Sequence, residues 1–326
     1  MTALDSRESD ALVITDVSSI PDEPPAEILY RHKVRFGESI RSLWAHREII
    51  YTLAERDFRA QYKQATLGVL WAVLSPLAML AVFVVVFSKV KALVIPGVPY
   101  ALYSFVGILC WGFFAAALGT GGSSLLTNKA LLAKTQFPRE CFPLETMLVG
   151  GLNTVISWIP LTILFVLYGR APAATTVWVP ILMVIEIAFA AGVTLAISSI
   201  IIQMRDLLQV LPLIISLGLF ATPVIWPYSK IPTAYHIGGH HIHRVLVDGH
   251  VVAVAHWVGG ITVNLQIVYG FFNPLGPIID NARRTLLLGQ SPDWTLVGVA
   301  AIGSLLYLAF GYRIFKRLEV NFADIA

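Results

Sequence analysis

Six apolar segments, beginning near Leu67, Tyr100, Leu144, Thr176, Leu208 and Thr295, are each long enough to cross the roughly 30 Å hydrocarbon core of a bilayer. A backbone inside lipid must satisfy its own hydrogen bonds. Ala/Leu/Val/Ile-rich runs bounded by charged or Pro/Gly loops therefore read as helices, not as the alternating strands of a barrel. Composition excludes a soluble globule: of 326 residues 56% are hydrophobic and 13% charged, and the mean hydropathy is +0.73. The expected fold is an all-α polytopic membrane protein of six transmembrane helices.

An even number of spans puts both termini on one side. With the termini inside, sixteen of the 23 Lys and Arg residues face the cytosol and seven face outside, the latter including Lys89, Arg170, Arg283 and Arg284. The positive-inside rule then assigns both termini to the cytosol. Residues 1 to 29 read as a solvated acidic tail with the Pro24-Pro25 pair and no apolar signal core. Residues 30 to 66 carry an interfacial amphipathic helix in which Leu43, Trp44, Tyr51 and Phe58 recur near helical spacing, with Arg41, Arg47 and Glu55 turned to the cytosol. The six-span domain covers 67 to 313, and 314 to 326 form a cytosolic tail. Cys110 and Cys141 are read as packing residues.

Between the second and third spans the cytosolic loop from Asn128 to Glu140 opens on a short helix ended by Pro138. The fourth and fifth spans are joined through Arg205-Asp206, read as ordinary helix-end charges. The largest external segment, 228 to 293, divides in two. Its first half has β-branched runs around Asp248-Gly249, a hairpin signal. Its second half reads as a helix from Pro274 to Gly289 that carries Arg283 and Arg284.

Several residues stand out chemically. Glu186 lies near the middle of the fourth span, where an ionisable group must face protein or water; Asn153 and Ser157 are candidate partners, and a substrate role is the alternative. Phe83 and Phe87 in the first span and Tyr103, Phe105, Trp111, Phe113 and Phe114 in the second could either line a path across the membrane or simply pack. Six of eight histidines cluster outside; His240, His241, His243 and His250 have metal-ligand spacing, but a polar hairpin surface is the preferred reading and no metal site is assigned.

The chain resembles the transmembrane subunit of ABC exporters for O-antigen, capsule, teichoic acid and related cell-surface polysaccharides, from about Leu53 onward. The resemblance rests on Ala54-Glu55-Arg56-Asp57, Gln61 through Trp71, Ser75-Pro76, Phe137-Pro138-Arg139, Arg205-Asp206, Thr222-Pro223-Val224-Ile225, Phe272-Asn273-Pro274-Leu275 and Phe315-Lys316 through Asp324. It implies a permease without catalytic residues, moving a lipid-linked glycan across the bacterial inner membrane as a homodimer, amid membrane lipids and with no nucleic-acid partner. Two separate cytosolic ATPase chains would hold ATP and Mg. The chain itself has no phosphate-binding loop, since Gly119 through Ser124 lacks the lysine. The resemblance places ATPase coupling on Arg56, Asp57, Arg59, Lys129, Lys134, Phe137, Pro138 and Arg139, and counts Arg205-Asp206 with them. It places an external gate, built from re-entrant or gate helices, on Asn273, Pro274, Arg283 and Arg284, next to an inserted hairpin from about His236 to His256. Two other classes remain, an integral-membrane glycosyl- or acyltransferase and a metal-ion transporter. The dispersed carboxylates Glu140, Glu145, Asp280 and Asp293 weigh against the first, and the near isolation of Glu186 against the second.

Overall fold

The computed structural model describes residues 36–63, 65–90, 93, 95–132, 137–238, 240–242, 245–247, 250–252, 256–258, 260–320 and 322, with only the backbone of 36–40 and of the strands from 240 to 258. The acidic tail of 1 to 29, Lys134 and His243 lie outside the described residues.

The amphipathic segment is two helices, α1 (Phe36–Ala45) and α2 (Arg47–Lys63), broken at His46. Its aromatic stripe is not packed onto the bundle: Trp44 and Tyr51 are exposed, and α2 instead rests on the bundle through buried Ala54. The chain then enters α3 (Leu70–Phe87), α4 (Tyr100–Thr127), the short α5 (Lys129–Leu132), α6 (Cys141–Leu167), α7 (Val179–Ile201), α8 (Leu207–Ala221), α9 (Leu265–Phe272), α10 (Leu275–Leu287) and α11 (Trp294–Glu319).

Five of these, with α7 prolonged by the 3-10 turn at Ala174–Trp178, are long and apolar enough to cross a membrane. The chain is a multi-pass membrane protein. The fifth apolar segment of the sequence forms only the 15 residues of α8, about 22 Å of helix. It stops because Thr222, which precedes Pro223, turns extended (φ −88°, ψ 144°), as a residue before proline prefers.

Helix α4 is the central post. It is buried over most of its length, whereas α3 buries only Leu80 and Phe83. The Gly-rich stretch of α4 serves packing: a Cβ on Gly121 would stand 2.5 Å from Thr194 Cγ2, and one on Gly122 3.1 Å from Ile197 Cγ2, so small residues let α4 and α7 approach. A second close crossing brings Gly192 of α7 onto Gly311 of α11. Below it, Leu125, Leu132, Phe142, Leu195, Tyr312, Phe315 and Phe322 form a separate apolar cluster.

Outside the bundle the strands pair antiparallel in nested order, β1 (Tyr235–Ile237) with β6 (Ile261–Val263), β2 (His240–Ile242) with β5 (His256–Val258), and β3 (Val245–Val247) with β4 (His250–Val252). Val247 faces His250 across the innermost register. The paired region is longer than the Asp-Gly signal alone indicates, because the outer pair extends to Tyr235 and Val263.

Candidate functional site

Of the residues expected to couple to an ATPase, the described ones lie toward one end of the bundle. Arg56 Nε donates to Asp57 Oδ1 at 2.6 Å and Arg56 Nη2 reaches Asn128 Oδ1 at 3.4 Å, linking α2 to the loop after α4. The hydrogen bond to Asp57 holds the Arg56 guanidinium above its ordinary pKa. Fully buried Glu145 of α6 lies against this pair. Arg59 is exposed and bonded to Glu55 one turn back. Lys129 opens α5.

Phe137 and Arg139 are largely taken up within the chain. The Phe137 ring packs on Phe142 at 5.4 Å, and Arg139 Nη1 donates to Glu319 O at 2.6 Å with its guanidinium over Phe322. Buried Glu140 meets Lys316 Nζ at 2.5 Å, and Lys316 also meets Glu319 at 2.8 Å. Loop and C-terminal helix are thus tied into one element. Nothing local in the sequence announces that Glu140 and Lys316 are partners. Arg205 and Asp206 are exposed in the turn before α8, and Asp206 occupies the N-cap position without a side-chain capping bond. That is the helix end that favours a negative charge.

Above this end, a cavity of about 490 Å³ opens between α2, α3, α4, α6 and α8. Its polar mouth is formed where Tyr62 Oη donates to Asn153 Oδ1 at 2.8 Å and Asn153 Nδ2 donates to Gln61 Oε1 at 3.3 Å. Burial raises the Tyr62 phenol pKa. Further in, Trp71, Trp111, Gly112 and Ser216 line the wall, and a Cβ on Gly112 would meet open space.

Of the seven path aromatics named from the sequence, Trp111 lines this cavity. The others pack in the subunit core: Phe105, Tyr103, Phe83, Phe113 and Phe114 are buried and Phe87 lies against them. Phe114 stacks on Phe189 at 5.0 Å, which in turn meets Tyr307 edge-on. Periodicity cannot separate a pore wall from a core, because both are apolar and aromatic.

Glu186 sits elsewhere, in a second cavity of about 270 Å³ among α4, α6, α7 and α10. Neither expected partner reaches it. Asn153 is engaged with Tyr62 and Gln61, and Ser157 Oγ donates to Ala72 O at 2.9 Å. The thiol of Cys110 lies against the carboxyl group instead.

The expected external gate is a clasp. Asn273 Nδ2 donates to Thr222 Oγ1 at 3.0 Å and to Tyr269 Oη at 2.9 Å, and Tyr269 Oη donates to Ala221 O at 2.6 Å. Asn273 and Pro274 form the bend between α9 and α10, and α11 is fastened to it by Tyr307 Oη donating to Phe272 O. The two motifs Thr222-Pro223-Val224-Ile225 and Phe272-Asn273-Pro274-Leu275 are thereby joined.

Arg283 is not a surface cation, as counting it outside implied. It is 1% exposed; its guanidinium donates to Tyr103 O, Tyr103 Oη, Pro223 O and Val224 O at 3.0, 3.0, 2.7 and 2.5 Å and lies 3.8 Å from the centre of the Tyr103 ring. Gly107 leaves the room it needs. Burial pushes the Asp280 carboxyl pKa up, while Arg283 and Arg284 pull against it. The Nε of half-buried Arg284 has no hydrogen-bond partner.

Among the described residues no three His, Cys, Asp or Glu side chains gather as a metal-binding group. His240, His241 and His250 are described as strand backbone only.

The chain matches the ABC-2 type transporter family over residues 48–242 and belongs to that family. It is similar to the O-antigen export system permease protein RfbA of Myxococcus xanthus, 31% identical over 192 residues that cover 59% of this chain and 73% of that relative. It is also similar to the protein of the same name from Klebsiella pneumoniae, 25% identical over 280 residues, covering 85% and 95%.

Proposed function

We propose that this chain is the permease subunit of an ATP-driven exporter that moves a lipid-linked cell-surface polysaccharide of the O-antigen type out of the cytosol. It lies in the bacterial inner membrane with both termini in the cytosol and works as a homodimer with two ABC ATPase chains, which hold ATP and Mg. Helix α8 completes a sixth crossing, its 15 residues prolonged by the turns at either end. The names of the relatives support the substrate class. The observation that carries the reading is the cavity running from the Tyr62–Asn153 mouth past Trp71 and Trp111. Aromatic faces with sparse polar groups let a sugar chain slide without fixing it.

The ATPase would grip exposed Arg59, Lys129 and the remaining open side of Phe137 and Arg139, with Arg56, Asp57, Pro138, Arg205 and Asp206 shaping the same end. Because Arg139 and Lys316 bind the loop to α11, a push there reaches α7 through the Gly192–Gly311 crossing. Co-expression with the ATPase tests this. Phe137→Ala should cost about 2 kcal/mol of association or more, as removal of an apolar anchor does, with lower ATPase recovery and less surface glycan while the permease still inserts. Parental recovery and export from Phe137→Ala combined with Arg59→Glu would defeat the coupling assignment.

A further inference from the structure

The cavity that holds Glu186 is distinct from the proposed glycan path, the two sharing only Leu109 and Thr154 in their walls. Its wall is almost wholly apolar, and it opens sideways between α6 and α7 at Leu152, Val155 and Ile187, side chains that are 42%, 59% and 46% exposed on the membrane face. Glu186 itself is 4% exposed, and its Oε1 has no hydrogen-bond partner. An unmet acceptor in an apolar cavity is costly, and apolar cavities of this kind stay dry and take apolar guests.

We propose that this is a binding site for a bilayer-dissolved, single-chain lipid with a hydroxyl head group, whose chain fills the α6–α7 cleft and whose hydroxyl donates to Glu186 Oε1. The carboxyl group selects the head. Phosphate and carboxylate heads would have to shed their hydration in an apolar cavity that offers no counter-charge, which excludes the common anionic lipids. An ammonium head would have to carry its charge about seven residues down α7, roughly 10 Å below the helix end, which is expensive in lipid. A hydroxyl brings the missing donor without a charge. Cys110 fixes the carboxyl group from the other side.

The test uses the full chain in lipid nanodiscs and a medium-chain primary alcohol carrying a mid-chain diazirine. Photolabelling should map to the α6 and α7 segments that line the cavity. Competition by the unlabelled alcohol should exceed that by its methyl ether about fivefold, the yield of one net hydrogen bond. Glu186→Leu should bring the two competitors level, and Val155→Trp, a change at the lipid-facing mouth, should abolish the labelling. If Glu186→Leu does not fold, the alcohol-to-ether ratio on the parent and the Val155→Trp result still decide. Equal competition by alcohol and ether on the parent, or label spread evenly over all lipid-facing helices, would overturn the site.

Discussion

Arg283→Met should destabilise the protein by about 3 kcal/mol or more, because it removes a buried cation and strands the oxygens that cation satisfied. Tyr103 O, Pro223 O and Val224 O have no water to turn to in the core, and the Tyr103 ring loses the charge above it. Arg283→Lys should recover only part of the loss, since an ammonium has three donors on one atom and cannot span acceptors on α4 and on the turn after α8. Thermal unfolding of the purified protein reads both effects. The functional consequence follows from position: Arg283 fastens α10 to α4, so the clasp at Asn273 moves with the central post. A parental melting temperature for Arg283→Met would contradict this role.

Gly311→Leu should have an effect of similar size by a different route. A Cβ at Gly311 collides with the backbone oxygen of Gly192, and one at Gly192 collides with the backbone of Tyr307 and Leu308. Backbone cannot step aside as a flexible side chain can, so α7 and α11 must separate and overpacking of about 3 kcal/mol results. Loss of monodisperse protein on extraction should report it, with Gly298→Leu, at an open position on the same helix, as the control that remains well behaved. Equal behaviour of the two variants would show that the crossing is looser than the structure has it.

The apolar segments were legible because lipid forces length and composition together, and five of them became helices that can cross a membrane. The start and stop of α10 were legible too, at Pro274 and at Gly289, whose φ of +65° favours glycine. The end of α8 was written in Thr222-Pro223, yet a hydropathy window reads through it. What could not be read was which polar groups turn inward. Arg283 looked like any external arginine, because its acceptors are backbone carbonyls and an aromatic ring that lie far away in sequence. Glu140 and Lys316 are far apart in the chain, and Tyr62 and Asn153 lie on helices that no local pattern pairs. For the aromatic residues of the second span, residue type left path and packing open, and most of them are buried in the core.

The central claim, that the cavity lined by Tyr62, Trp111, Gly112 and Ser216 carries the glycan, is tested most directly by placing a photo-crosslinking amino acid at position 112. Open space faces that position, so the probe projects into the cavity. In membranes containing the ATPase arrested before hydrolysis, illumination should give a protein–glycan adduct from position 112 and from position 216. The same probe at Val166, 74% exposed on the outer face of α6, should give none. Adducts at 166 equal to those at 112, or none at 112 and 216 in a complex that exports when released, would contradict the assignment.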